Sequence, residues 1–204
     1  AGGDEDDPAG VQLLLRHKAK ANARDARGRS ALHEAAAVGH AAIAQALLEA
    51  GADIEARDSD GRTPLLEAAR TAAASALDVL LAAGADVRAT DANGANALHL
   101  ACAAETPSLA LVRQLLALGI DPLAPDTQGR SALAIAEAAG RWSLVALLDP
   151  ARSSADLPAD GEILPERPPS LLLREALLER AEPARLHVLA GRLSRAELDA
   201  LLVD

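Results

Sequence analysis

A turn-forming element, Asp-x-x-Gly, recurs along this chain at a nearly fixed spacing. Successive copies are separated by 33, 33 and 35 residues, and their glycines are Gly28, Gly61, Gly94 and Gly129. Each unit ends in paired leucines, followed in the first two units by Gly-Ala-Asp. A fixed period of this size is typical of a solenoid, in which each unit buries its apolar face against its neighbours. The repeat therefore predicts an extended recognition surface and not an enzyme.

Each unit carries signals for two short helices. Asp favours the first position of a tight turn, and Gly adopts the positive φ that completes it. A residue able to cap a helix follows each turn, namely Ser30, Thr63, Asn96 and Ser131. Apolar residues spaced three and four apart predict the second helix, which ends near Gly51, Gly84 and Gly119. The predicted unit is turn, helix, helix and return loop.

These residues resemble the ankyrin repeat, whose pattern is Asp-x-x-Gly-x-Thr-Pro-Leu-His, then Ala-Ala, Gly-His, Leu-Leu and Gly-Ala-Asp. Residues 25–56 match the pattern closely, residues 58–89 match it well, and the two units after Asp91 match it less fully. The resemblance implies an all-α ankyrin-repeat solenoid with short turn loops. It also implies that the turn tips and the inner face of the first helices bind protein partners.

The repeats divide the chain into four expected segments. Residues 1–10 are acidic and expected to be flexible. Within the array, residues 105–108 are expected to lengthen one helix–helix turn. A Pro-rich linker is expected over 151–169 and a helical cap or extension over 170–204. The array itself is expected over 11–150, as a partial repeat at 11–24 and repeats at 25–57, 58–90, 91–125 and 126–150.

Composition narrows the possible partners and compartment. The net charge of −10 over 204 residues argues against nucleic acid and anionic membranes, which attract clustered Lys and Arg. The chain has no run of about 18 apolar residues, so no membrane insertion is expected. The single cysteine, Cys102, favours a reducing compartment, which we take to be cytoplasmic. The Ala and Arg bias suggests a bacterial source, and the absence of Met suggests a fragment of a longer chain. We expect the protein to be a monomer.

No residues form a recognisable catalytic or metal-binding motif. The resemblance assigns His33 and His99 to a structural role, in which the imidazole steadies neighbouring turns. Cys102 lies inside a predicted helix, where a packed and inert thiol is expected. The chain has no His-x-x-His, Cys-x-x-Cys, Gly-x-Ser-x-Gly or phosphate-loop spacing. We therefore expect no enzymatic activity, no cofactor and no metal.

The positions that vary between repeats are unexpectedly rich in arginine. The resemblance places six such positions in each of the four units, and together they hold seven arginines and one acidic residue. Arginine forms bidentate contacts with carboxylates, so the hypothesis is an acidic protein partner. The alternative is that these arginines are common in the family and stay solvated. The residues expected to contact a partner are Arg27, Arg29, Arg57, Asp60, Arg62, Arg70, Asn93, Gln128, Arg130 and Trp142.

Three functional interpretations follow from the sequence. The leading one is a non-catalytic protein-interaction module. The second is a regulatory or targeting segment of a multidomain bacterial enzyme or secreted effector. A third, an adaptor with a suppressor-of-cytokine-signalling box, is disfavoured because the tail lacks that box's Cys and Leu-Pro-Leu-Pro elements. Trp142 is either a partner contact or, as we favour, packed beneath the linker or the C-terminal helices.

Overall fold

The fold is an array of short helices joined by turns. A computed structural model of the protein describes residues 6–150 and 160–161, so the expected linker at 151–169 and tail at 170–204 lie almost wholly outside the described residues. The helices are α1 (Ala9–Arg16), α2 (Ala31–Val38), α3 (Ala41–Glu49), α4 (Pro64–Arg70), α5 (Ala74–Ala82), α6 (Ala97–Ala103), α7 (Leu109–Ala117), α8 (Ala132–Ala138) and α9 (Trp142–Leu148). The prediction of an all-α repeat fold is confirmed.

The capping residues stand where the sequence predicted them. The side chains of Thr63, Asn96 and Ser131 accept hydrogen bonds from backbone N–H groups in the first turn of α4, α6 and α8. Pro64 occupies the first position of α4, where the missing N–H removes no helical bond. Each inner helix therefore starts at a position fixed by its own turn sequence.

The helices form two layers. Helices α2, α4, α6 and α8 stack in sequence order and form the inner layer, and each also packs against the helix that follows it. The apolar contacts repeat with the sequence, since Leu32, Leu65 and Leu98 occupy equivalent positions and are fully buried. Small alanines line the same helices and let them approach closely. Among the described residues, no helix has both the length and the apolar character needed to cross a bilayer.

Two departures from the regular repeat are visible. Residues 104–108 separate α6 from α7, whereas Gly39 and His40 alone separate α2 from α3, so the predicted insertion does fall on a helix–helix turn. At the other end, α1 begins at Ala9, and the Asp6 carboxylate accepts hydrogen bonds from the first backbone N–H groups of α3. Part of the segment expected to be flexible thus caps a helix.

Candidate protein-binding site

The turn aspartates organise the backbone of every turn. In Asp58, one carboxylate oxygen accepts hydrogen bonds from the backbone N–H groups of Asp60 at 2.9 Å and Arg62 at 2.8 Å. Asp25, Asp91 and Asp126 repeat the arrangement in their own turns. The backbone N–H groups of Arg29 and Arg27 hold the pKa of Asp25 below its ordinary range. The turns that the sequence predicted at these aspartates are confirmed.

Successive turns are also bonded to one another. The backbone N–H of Ser59 donates to the carbonyl oxygen of Arg27 at 2.8 Å, and that of Ala92 donates to Asp60 at 2.9 Å. The approach is close enough that a Cβ on Gly61 would lie 2.8 Å from the nitrogen of Ala92. Glycine is therefore required by the neighbouring turn as well as by its own φ of +75°. The tips form a rigid row.

Two arginines join neighbouring turns through their guanidinium groups. The Nη1 of Arg57 donates to the carbonyl oxygens of Gly61 at 2.8 Å and Thr90 at 2.7 Å. Arg24 makes the equivalent bond one unit earlier, to the carbonyl oxygen of Arg57. Arg57, which the sequence analysis included among the residues expected to contact a partner, already has a role in holding the turns together. Its contact with a partner stays a prediction.

Four of the other predicted arginines come together at one depression. It lies between the first two turns and α4 and has a volume of about 220 Å³. We call it the arginine pocket, and its lining residues are Arg27, Arg29, Asp58, Ser59, Asp60, Arg62, Glu67 and Arg70. Its four guanidinium groups and three carboxylates give a formal charge of +1, in a chain whose net charge is −10.

Glu67 forms the buried base of the arginine pocket. Its Oε2 accepts hydrogen bonds from Nε and Nη2 of Arg70 at 2.9 and 2.7 Å, and its Oε1 accepts from Nη1 of Arg62 at 3.2 Å. Burial raises the pKa of Glu67, but the hydrogen bonds and charges of Arg70 and Arg62 outweigh it, so the pKa lies below its ordinary range. Glu67 thus fixes the direction of two guanidinium groups.

The remaining arginines of the pocket differ in how far they are already paired. Arg29 contacts the exposed Glu34 at 3.0 Å, and Arg62 contacts Asp60 at 3.2 Å in addition to Glu67. Arg27 is exposed, and its guanidinium forms no ion pair or hydrogen bond with the described part of the chain. Arg27 is therefore the pocket's most available donor for an external anion.

The other predicted contact residues lie away from the pocket. Asn93 and Gln128 are exposed at the tips of the third and fourth turns. Arg130 pairs with Asp126 through Nη2 at 2.9 Å. Trp142 is 5 % exposed and belongs to the hydrophobic core, so it presents little surface for a partner. The structure thus brings together Arg27, Arg29, Asp60, Arg62 and Arg70.

Sequence reasoning missed Glu67. It occupies a position that is the same in the first two units, as Glu34 and Glu67, and therefore lies outside the set of variable positions from which the contact residues are predicted. The available signal was its flanking arginines, Arg62 five residues before it and Arg70 three residues after it. At helical spacing the second of these meets the carboxylate directly.

The histidines and the cysteine are engaged in the framework. His33 is fully buried, and its Nε2 lies 3.0 Å from the carbonyl oxygen of Arg62 in the next turn. His99 makes the equivalent contact with Arg130. Burial raises the pKa of the Cys102 thiol to about 12, which makes its thiolate scarce at neutral pH. The structural assignments of these residues are confirmed.

The fold and the turn geometry define a class of protein: a helical-repeat solenoid built from turn–helix–helix units. The family model for ankyrin repeats (3 copies) matches residues 3–91 and again residues 74–157. The chain belongs to the ankyrin-repeat family. Ankyrin repeats are generally protein–protein interaction modules and are typically non-catalytic. A search of curated proteins found no match to the chain.

Proposed function

We propose that the chain is a non-catalytic interaction module that binds an acidic segment of a partner protein through the arginine pocket. The observation that carries the proposal is the convergence of Arg27, Arg29, Arg62 and Arg70 on one depression. Glu67 already fixes the direction of the Arg62 and Arg70 guanidinium groups, which lowers the ordering cost of binding a carboxylate beside them.

The fixed framework around the pocket supports this function. Asp58 and Glu67 use their carboxylate oxygens on backbone N–H groups and on Arg62 and Arg70, so they hold the pocket's shape. Arg27 has all its donors available. Arginine is also the only abundant residue in this chain of the types enriched at interface hot spots, since Tyr is absent and the single Trp142 is buried.

The setting of the protein is part of the proposal. Of the 20 basic residues, 18 are arginine, and Cys102 is the single cysteine. This composition supports a bacterial cytoplasmic protein. We further propose that it acts as a monomer, which sedimentation of the full chain measures. A dimer would contradict it.

A random-peptide library displayed on phage and selected against the full chain tests the proposed binding. We expect the enriched peptides to be rich in Asp and Glu. The affinity of a synthetic copy of an enriched peptide should fall about tenfold on Arg27→Glu. It should also fall as salt is raised, because exposed charges are screened.

The matched control is Arg113→Glu, which changes the net charge equally at an exposed position on the outer helix α7. Its effect on the same affinity should stay below about twofold. Arg27 is a better choice than Arg62, because reversing Arg62 also removes a partner of the buried Glu67. Enriched peptides without an acidic bias, or equal losses in the two variants, would refute the proposed function.

A further inference from the structure

We propose that Asp60 is an internal anion that weakens the binding of dianionic phosphate groups to the arginine pocket more than the binding of singly charged carboxylates. This inference rests on the proposed function, since it concerns the ligand of the same pocket. Asp60 lines the pocket and contacts Nη1 of Arg62 at 3.2 Å, the same nitrogen that bonds Glu67.

Asp60 differs from the other carboxylates near Arg62 in its freedom to move. The carboxylates of Glu67 and Asp91 are 3 % and 2 % exposed and are held by other hydrogen bonds. The Asp60 side chain is 57 % exposed, and Arg62 is its ion-pair partner among the described residues. An exposed pair of this kind contributes only about 0–1 kcal/mol, so an incoming anion can take the place of Asp60 at Arg62.

The charge count explains why Asp60 affects the two kinds of ligand unequally. With Asp60 the lining carries a formal charge of +1, and with a neutral residue in its place the lining would carry +2. A phosphate monoester carries about −1.5 to −2 near neutral pH, so it meets up to twice the repulsion from Asp60 that a single carboxylate meets. The equivalent tip positions in the other units are Arg27, Asn93 and Gln128, so Asp60 alone places a negative charge at this position.

Titration of the full chain with sodium acetate and with inorganic phosphate at pH 7.5 and constant ionic strength tests the inference. Binding is followed by NMR at the backbone amide of Ser59 and the Nε–H of Arg62. Asp60→Asn should strengthen acetate binding about twofold and phosphate binding about fourfold, because the Coulomb energy scales with the ligand's charge.

Glu105→Gln is the control, because it removes one exposed negative charge in the α6–α7 turn. It should leave both affinities nearly unchanged. The inference is overturned if Asp60→Asn and Glu105→Gln have equal effects, or if Asp60→Asn strengthens the binding of both anions equally. In either case, acetate binding by the wild type leaves the proposed function standing. If neither anion shifts the pocket resonances in any variant, the pocket binds no anion and both proposals fall.

Discussion

The Glu67 carboxylate accepts hydrogen bonds from Nε and Nη2 of Arg70 at 2.9 and 2.7 Å, and this pair exists in one repeat only. The equivalent residue one unit earlier, Glu34, pairs with Arg29 and is exposed. Ala37 occupies the position equivalent to Arg70 in that unit. The arginine pocket therefore lies in the repeat that places a second guanidinium, Arg70, next to this glutamate.

Glu67→Gln should lower the free energy of unfolding by about 2 kcal/mol, the range for hydrogen bonds to charged groups. Arg62 and Arg70 lose their shared anion, but both are partly exposed and regain hydration, which limits the cost. Urea denaturation followed by circular dichroism measures the change. Glu34→Gln, the same substitution at the equivalent exposed position, should cost less than about 0.5 kcal/mol. Equal costs would show that Glu67 has no special structural role.

The turns and helices were predictable because their causes are local. Asp58 and Gly61 lie within four residues of each other, and the bonds that Asp58 accepts come from the same turn. The different roles of Arg57, which bonds neighbouring turns, and Arg27, which remains available, were not predictable in the same way. Whether an arginine reaches the next turn's carbonyl depends on the distance between stacked units, which no single repeat encodes. Sequence analysis therefore identified the arginines but treated them all as equivalent.

Trp142 illustrates the same limit at the end of the array. Its register aligns it with Ala41, just after a helix–helix turn, where family side chains are usually exposed. In the structure it is buried in the core beside Leu144 and Val145. Its role depends on what packs around the last unit. The expectation that the linker or the C-terminal helices cover Trp142 concerns residues mostly outside the described part of the chain.

Arg57→Met and Arg27→Met should separate folding from binding. Met keeps the apolar stem of the side chain, so only the guanidinium is lost. Arg57→Met should lower stability by about 1 kcal/mol, because the carbonyls of Gly61 and Thr90 lose their donor. Arg27→Met should leave stability within about 0.5 kcal/mol and weaken binding of the selected acidic peptide.

Urea denaturation and fluorescence anisotropy of the labelled peptide measure the two effects. Arg57→Met should leave the peptide affinity unchanged once the protein is folded. A large loss of affinity in that variant would show that Arg57 contacts the peptide, as expected from the sequence.

Gly61→Ala and Gly129→Ala isolate the contact between neighbouring turns. Both glycines have a φ of +75°, so alanine meets the same backbone strain at each, about 1 kcal/mol. A Cβ at Gly61 would lie 2.8 Å from the Ala92 nitrogen, whereas a Cβ at Gly129 meets nothing within 4 Å. Gly61→Ala should therefore lower the free energy of unfolding by about 1–3 kcal/mol more than Gly129→Ala. Thermal unfolding of the two variants gives the difference, and indistinguishable midpoints would mean that the turns separate without cost.

Helix α9 carries a cap supplied from outside its own repeat. Asp160 accepts hydrogen bonds from the backbone N–H of Ser143 at 2.7 Å and from its hydroxyl at 2.6 Å. The backbone N–H of Gly161 donates to the carbonyl oxygen of Gly140 at 2.8 Å. Inside the array, the hydroxyl of Ser75 in the next repeat makes the same contact with the equivalent carbonyl of Gly39. Asp160 and Gly161 thus stand in for part of the following repeat.

Acid should release this cap in a way that Trp142 reports. The hydroxyl and backbone N–H of Ser143 hold the pKa of Asp160 below its ordinary range. A lowered pKa means that the stabilisation is complete near neutral pH and is lost as the pH falls through the folded-state pKa. Trp142 is the single tryptophan and starts α9, so its fluorescence should change over that acidic interval. In Asp160→Ala the neutral-pH fluorescence spectrum should already be shifted, and the free energy of unfolding should be lowered by about 1 kcal/mol.

The control is Asp6→Ala, which removes the corresponding cap from α3 and should leave the Trp142 transition in place. An identical effect of both variants would mean that acid unfolds the array as a whole.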